Sequence, residues 1–272
     1  MKRAFTILAC MILAGTIAAC GSKITPVSAS DAQPIEIALE STMAPAATEP
    51  AATVQPTTSN QQVYAAFQGA LENLMQNRIL PDGMPSDEQD SANPSSFAVY
   101  DVDGDGQDEL ILLNNTVTMA GTSGYVFDYE EGTEGLQTEL LAYTDLTFYD
   151  NGIVQAKWSH NQGLAGDTFW PYSLFQYDAS IDCYRPYYNV DAWDKACGET
   201  NGDGQPFPTE VDKSGVGIVY FISEGNGNDL SHPVDQSEYT AWLNQMIGSA
   251  NVLPLQYFDL TKENVALLRS MH

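Results

Sequence analysis

The stretch YDVDGDGQDELIL, residues 100–112, leaves the chain few conformational choices. Numbered from Asp101, acidic side chains fall at positions 1, 3, 5 and 9: Asp101, Asp103, Asp105 and Glu109. Gly106 stands at position 6 and Gln107 at position 7. Carboxylates crowded on so short a loop repel one another unless a cation sits among them. Alternate residues of a tightly wound loop can turn their oxygens to one point. Calcium takes six to eight oxygens at about 2.3–2.6 Å, and position 7 of such a loop offers its backbone carbonyl. Gly106 permits the sharp turn and Gly104 eases the winding. Magnesium keeps more of its own water and fits less well. The expected ligands are therefore Asp101, Asp103, Asp105, Gln107 and Glu109, around a structural calcium ion. A metal saturated by protein oxygens leaves little room for substrate, which argues against a catalytic role.

The first half of this loop matches the D-x-[DN]-x-[DN]-G pattern of an EF-hand. The second half does not, because position 12 is Leu112 where an EF-hand has a bidentate Glu. Residues 97–100, FAVY, also read as strand rather than as an incoming helix. The loop resembles instead the D-x-D-x-D-G-x-x-[DE]-L loop of FG-GAP and VCBS repeats. That resemblance covers residues 97–113 and implies a calcium loop joining two strands, with Glu109 completing the shell. Asp108 is the extra acid and is expected to point to solvent. Propellers of that family need repeated blades, and one clear copy is present here, so the propeller is not expected.

The rest of the chain reads as helix, then strands, then helices. Val63, Phe67, Leu71, Leu74 and Arg78 recur at helical spacing after a capping Ser59 or Asn60, with Pro81-Asp82-Gly83 as a stop. GYVFDYE and LQTELLAY flank a glycine-containing turn, and YSLFQYD and CYRPYYNV flank ASID. Asn151-Gly152 between β-prone runs signals a two-residue hairpin turn. VGIVYFIS, residues 216–223, suits a central strand. Asp235 or Ser237 starts a helix with Tyr239, Trp242, Leu243 and Met246 on one face, and Thr261 caps a last one carrying Val265, Leu267 and Leu268. The expected class is α+β: strand-rich antiparallel sheets built from hairpins, packed by one N-terminal helix and two C-terminal helices.

The N-terminus limits where such a domain resides. Lys2 and Arg3 precede an apolar run over residues 4–19, which is the size of a secretory leader and short for a spanning helix. The run ends Ile17-Ala18-Ala19-Cys20, which resembles the lipobox of bacterial lipoproteins. The resemblance implies cleavage before Cys20 and lipidation of its sulfur. Residues 20–60 are rich in Pro, Ala, Thr and Ser and lack apolar periodicity, so they read as a disordered tether. The expected layout is a leader over 1–19, a tether over 20–60 and one globular domain over 61–272. It implies attachment to the extracytoplasmic face of a cell membrane by an N-terminal lipid. The formal net charge of −26 disfavours nucleic acid as a partner. The whole arrangement is similar to a group of Gram-positive bacterial lipoproteins, a resemblance that implies no particular activity.

Other constellations are weaker. Cys183 and Cys197 could oxidise to a disulfide outside the cell or remain two thiols. ETNGDGQ, residues 199–205, imitates the acidic loop, but Phe207 stands at its ninth position, so a plain turn is the better reading. Ser159, His160 and Asp167 have no G-x-S-x-G elbow to support a triad. Trp158, Trp170 and Trp193 are candidates for aromatic surfaces facing a ligand, although most aromatics in such domains are core. The expectation is a calcium-stabilised, membrane-tethered ligand- or protein-binding module of unassigned role, with a glycan or a cell-surface protein as candidate partner and the question of enzymatic activity left open. The alternative is an extracytoplasmic glycan hydrolase using a carboxylate pair, and no local pattern selects that pair.

Overall fold

The structure, a computed structural model, describes residues 58–86, 94–116, 121–133, 135–143, 145–158 and 163–270. The leader, Cys20, the greater part of the tether, Ser159 and His160 lie outside the described residues.

Helix α1 (Thr58–Asn77) opens the domain. Val63, Phe67, Leu71 and Leu74 lie on one stripe, and all four are buried. The helix stops before the Pro81-Asp82-Gly83 turn. Arg78 takes a left-handed conformation, φ 56°, and its N–H bonds the Leu74 carbonyl at 3.0 Å. That is a left-handed helix cap made without glycine.

Five strands form the first sheet: β1 (Ser96–Tyr100), β2 (Glu109–Asn115), β3 (Thr122–Asp128), β4 (Gln137–Tyr143) and the two-residue β11 (Phe258–Asp259). Their order is β11-β1-β2-β3-β4, all antiparallel. The second sheet holds β5 (Asp145–Phe148), β6 (Ile153–Lys157), β7 (Tyr172–Asp178), β8 (Cys183–Asp194), β9 (Ile218–Glu224) and the two-residue β10 (Pro233–Val234). Its order is β10-β9-β8-β7-β6-β5, again antiparallel. Helices α2 (Gln236–Ile247) and α3 (Lys262–Leu267), the latter continued by a 3-10 turn over Leu268–Ser270, complete the fold. The α+β, hairpin-built, strand-rich class expected from the sequence is what the chain adopts. Among the described residues no helix is long and apolar enough to cross a membrane.

Strand alternation explains how these pieces stack. Phe97, Leu110, Leu112 and Phe127 face α1 and the Val265 and Leu268 side chains of the C-terminal turn. Their neighbours Ala98, Ile111 and Val126 face the other way and meet Phe148, Val154 and Tyr184 of the second sheet. Ile153, Tyr172, Leu174 and Val190 then cover the outer face of that sheet against Tyr239, Trp242, Leu243 and Met246 of α2. The result is four layers: α1 with α3, sheet, sheet, α2. The interior strands β2 and β9 are buried on both faces and read as apolar runs rather than as clean alternation.

Asp235 caps α2 by accepting from the Ser237 N–H, and Thr261 caps α3 by accepting from the Asn264 N–H. Leu267, expected on the apolar stripe, is about half exposed, while Leu268 is fully buried. The Asn151-Gly152 hairpin forms, but not with a two-residue turn. Tyr149 N–H bonds the Ile153 carbonyl at 2.9 Å, and of the turn residues Gly152 alone has positive φ, 76°. A two-residue type I′ turn would need two such residues.

Candidate functional site

The acidic loop connects β1 to β2, strand to strand, and its carboxylates wind its own backbone. Asp101 Oδ1 accepts from Gly104 N–H at 2.8 Å, and Oδ2 from Gly106 N–H at 3.2 Å. Asp103 accepts from Asp105 N–H at 2.9 Å, and Asp105 from Gln107 N–H at 2.7 Å. Gly104 and Gly106 sit at φ 84° and 95°, the left-handed region where a side chain is strained. Glu109 is 1 % exposed and accepts from Val102 N–H at 2.8 Å, closing the loop on itself.

Neighbouring elements hold the loop from three sides. The Gln107 side-chain amide donates to Asp128 of β3 at 2.5 Å and to the Tyr129 carbonyl at 3.0 Å. Tyr64 of α1 donates to Asp108 at 2.5 Å, so Asp108 binds the helix rather than pointing freely to solvent. From the second sheet, the Tyr184 hydroxyl donates to the Val102 carbonyl at 3.1 Å in a buried contact.

Of the sequence-expected ligands, Asp101, Asp103 and Glu109 bring one carboxylate oxygen each within 4.8 Å of one another. Asp105 is exposed and stands outside that group, and the Gln107 side chain is engaged with β3. Asp103 also belongs to a second group of the same compactness, with Glu139 and Asp182. Glu139 lies on β4 and Asp182 in the turn between β7 and β8, so this group gathers the loop and both sheets. Sequence reasoning missed both residues. Their signals are three-dimensional: Glu139 falls at a register shift between β3 and β4, where Val126 pairs with Leu140 but Phe127 with Thr138. Such a bulge lets an extra residue point where strict alternation would not put it.

Burial away from water pushes Glu109 up to about 10 and Glu139 up to about 9, and the neighbouring carboxylates push the same way. Asp103 and Asp128 are also raised, mainly by burial. Oxygens are the only donors in both groups, and hard oxygen donors suit calcium, magnesium or manganese rather than zinc. The acidic clusters are thus able to hold a metal ion.

The remaining expectations fare unevenly. Cys183 and Cys197 are both free thiols. Cys183 opens β8 and Cys197 lies beyond its end. Strand β8, twelve residues that begin with Cys183, runs between them, and at about 3.3 Å per residue its length far exceeds the roughly 7 Å between Cα atoms that a disulfide allows. Trp193 is 4 % exposed, packs edge-on against Phe207 and donates to the Gly198 carbonyl at 2.9 Å, and its remaining surface belongs to the cleft that Trp158 also lines. Trp170 is 41 % exposed, with its indole N–H on the Trp158 carbonyl at 2.6 Å. Residues 199–205 form a turn, with the Asn201 side chain accepting from Asp203 and Gln205 N–H groups and Phe207 in the core. Trp158 lines a cleft of about 970 Å³ with Asp191, Asp203, Glu210 and Asp229. Asp191 is buried in its wall, which raises its carboxyl above the usual range.

Comparison with protein-family models, with curated proteins and with solved structures returns no match. The functional reading therefore rests on the residues and their geometry.

The raised carboxyls set a pH dependence for the cation-free chain. Folding favours the protonated form of Glu109 and Glu139, so their contribution is fully present below about 4.5 and is lost as pH rises through about 9 to 10. With chelator present, the thermal midpoint is expected to fall between pH 5 and 9, and Glu109→Gln to flatten the fall. A midpoint that climbs over that interval in thermal melts contradicts this electrostatic description.

Proposed function

We propose that the chain is a lipid-anchored extracytoplasmic binding module whose β1–β2 loop holds a structural calcium ion. The observation that carries the calcium reading is the convergence of Asp101, Asp103 and Glu109 on one point at a strand-to-strand turn. Gln107 would supply its backbone carbonyl, and water the remaining oxygens. The resemblance to FG-GAP and VCBS loops supports the same assignment. The ion offsets charges that the fold otherwise forces together, so its role is to hold the sheet junction rather than to react.

The anchor rests on the sequence around Cys20. Cys20→Ser is expected to move the protein from the membrane fraction to the soluble fraction of expressing cells; unchanged membrane retention counts against lipidation.

Calcium is expected to raise the thermal midpoint of the full chain. At a hundredfold excess over Kd the stabilisation is about 2.7 kcal/mol, or roughly 5–10 °C for a domain of this size. Asp101→Asn should remove most of that shift and weaken calcium binding at least tenfold in calorimetry. If the variant melts and titrates like the parent chain, the loop assignment fails.

The cleft beside Trp158 favours a second reading, a glycan-directed hydrolase, because it combines an aromatic side chain with several carboxylates. In that reading Asp191, whose carboxyl burial raises above the usual range, is the acid. Release of reducing ends from cell-wall or plant polysaccharides, abolished by Asp191→Asn, would support it. Saccharide binding without turnover would assign the cleft to the binding module instead.

A further inference from the structure

We infer that the chain holds a second cation, bound by Asp103, Glu139 and Asp182, which staples the two sheets together. One carboxylate oxygen from each of these residues lies within 4.8 Å of the other two. Oxygens ligating one calcium at about 2.3–2.6 Å lie no more than about 5 Å apart, so the triplet fits a single ion. The Asp101–Asp103–Glu109 triplet fits another, and the two share Asp103 alone. The five carboxylates do not collapse into one group of that size, which points to two neighbouring ions bridged by the Asp103 carboxylate.

An observation independent of clustering points to a ligand here. Glu139 is 3 % exposed, and its buried Oε2 has no hydrogen-bond partner among the described residues. A buried carboxylate oxygen left unpaired is costly, and the two other oxygen donors of the triplet are carboxylates that cannot donate a hydrogen to it when ionised. A cation satisfies all three at once. Charge balance agrees: five ionised carboxylates around one divalent ion leave three charges uncompensated, and around two they leave one. Asp128, which accepts from Gln107, adds to the negative field on Glu139.

The elements that supply the ligands explain what the ion would do. Asp103 comes from the β1–β2 loop, Glu139 from the bulge in β4 and Asp182 from the β7–β8 turn. The first two belong to one sheet and the third to the other. Asp182 takes φ 52°, a conformation that asparagine also tolerates, and accepts from the Tyr177 hydroxyl at 2.5 Å. Next to it the Cys183 thiol donates to the Glu139 backbone carbonyl at 3.0 Å. The hairpin therefore already rests on β4, with its carboxylate at the rim of the junction.

This inference deepens the calcium reading of the same acidic constellation, and the variants separate the two. The full chain, stripped with chelator and dialysed against calcium chloride, is expected to hold two calcium ions by elemental analysis. Glu139→Gln and Asp182→Asn should each lower that to one, and Asp101→Asn, which touches the loop group alone, should also leave one. Asp182→Asn guards against a folding defect, since it lies on an exposed turn. A parent chain with one ion that Asp101→Asn removes and Glu139→Gln spares overturns the second site and leaves the loop site standing. One ion removed by either variant overturns the two-position arrangement. Two ions retained in both Glu139→Gln and Asp182→Asn also overturn the staple. A parent chain that binds none overturns both readings.

Discussion

Every strand of both sheets that carries an apolar run must bury two faces, and that constraint organises the molecule. A sheet with one wet face could stand alone behind a single helix. Here Phe97, Leu110 and Phe127 need one cover while Ala98, Ile111 and Val126 need another. The second sheet supplies the inner cover and α1 the outer. Helix α2 then closes the far side over Tyr172 and Leu174. Loops at the rim of the inner interface are consequently pressed against the opposite sheet. The acidic loop is one of these. Val102 sits in the inter-sheet core, with its carbonyl on Tyr184, which holds the half-buried Asp101 and Asp103 on either side of it at the junction.

The resulting cost is electrostatic. Glu109 and Glu139 are the two most deeply buried carboxylates of the junction, and each feels Asp103 and its neighbours. Backbone N–H groups satisfy part of the loop: Gly104, Gly106 and Val102 donate to Asp101 and Glu109. Comparable donors do not reach Glu139 Oε2. A chain can tolerate such a group by protonating it or by placing a cation beside it. Bound protons suit acidic surroundings, and divalent ions suit a calcium-rich exterior.

Much of this was legible in the sequence because it depends on local chemistry. The 1, 3, 5, 9 acids with Gly106 specify a wound loop, the FAVY run before it specifies strand, and Thr261 and Asp235 announce their helices. What was hidden depends on register and distance. Glu139 reads as a solvent-side residue of LQTELLAY until the shift opposite Val126 and Phe127 buries it beside Leu140. Asp182 is one acid among many until the β7–β8 turn meets the loop. Cys183 and Cys197 look close in sequence, but the length of strand β8 holds them apart. Trp193 reads as a surface aromatic, but Phe207 packs on it and leaves only a small part of it to the cleft wall. Asp105 matches the ligand pattern and yet is exposed and stands outside both groups, with one oxygen accepting from the Gln107 N–H.

Strand β8 also relates the acidic junction to the cleft. Tyr184, near its start, anchors the loop, while Asp191 and Trp193, near its end, line the cleft wall. The two places share a strand but no side chain among those described. At about 3.3 Å per residue they stand more than 20 Å apart. A cation at the first is therefore too distant to polarise a ligand at the second, and its influence must be through the rigidity of β8 and its neighbours. Rigidity of that kind helps recognition by lowering the ordering cost of a preformed cleft. The two proposed duties thus fall at opposite ends of one strand, with the acidic junction near Tyr184 and the cleft near Asp191 and Trp193.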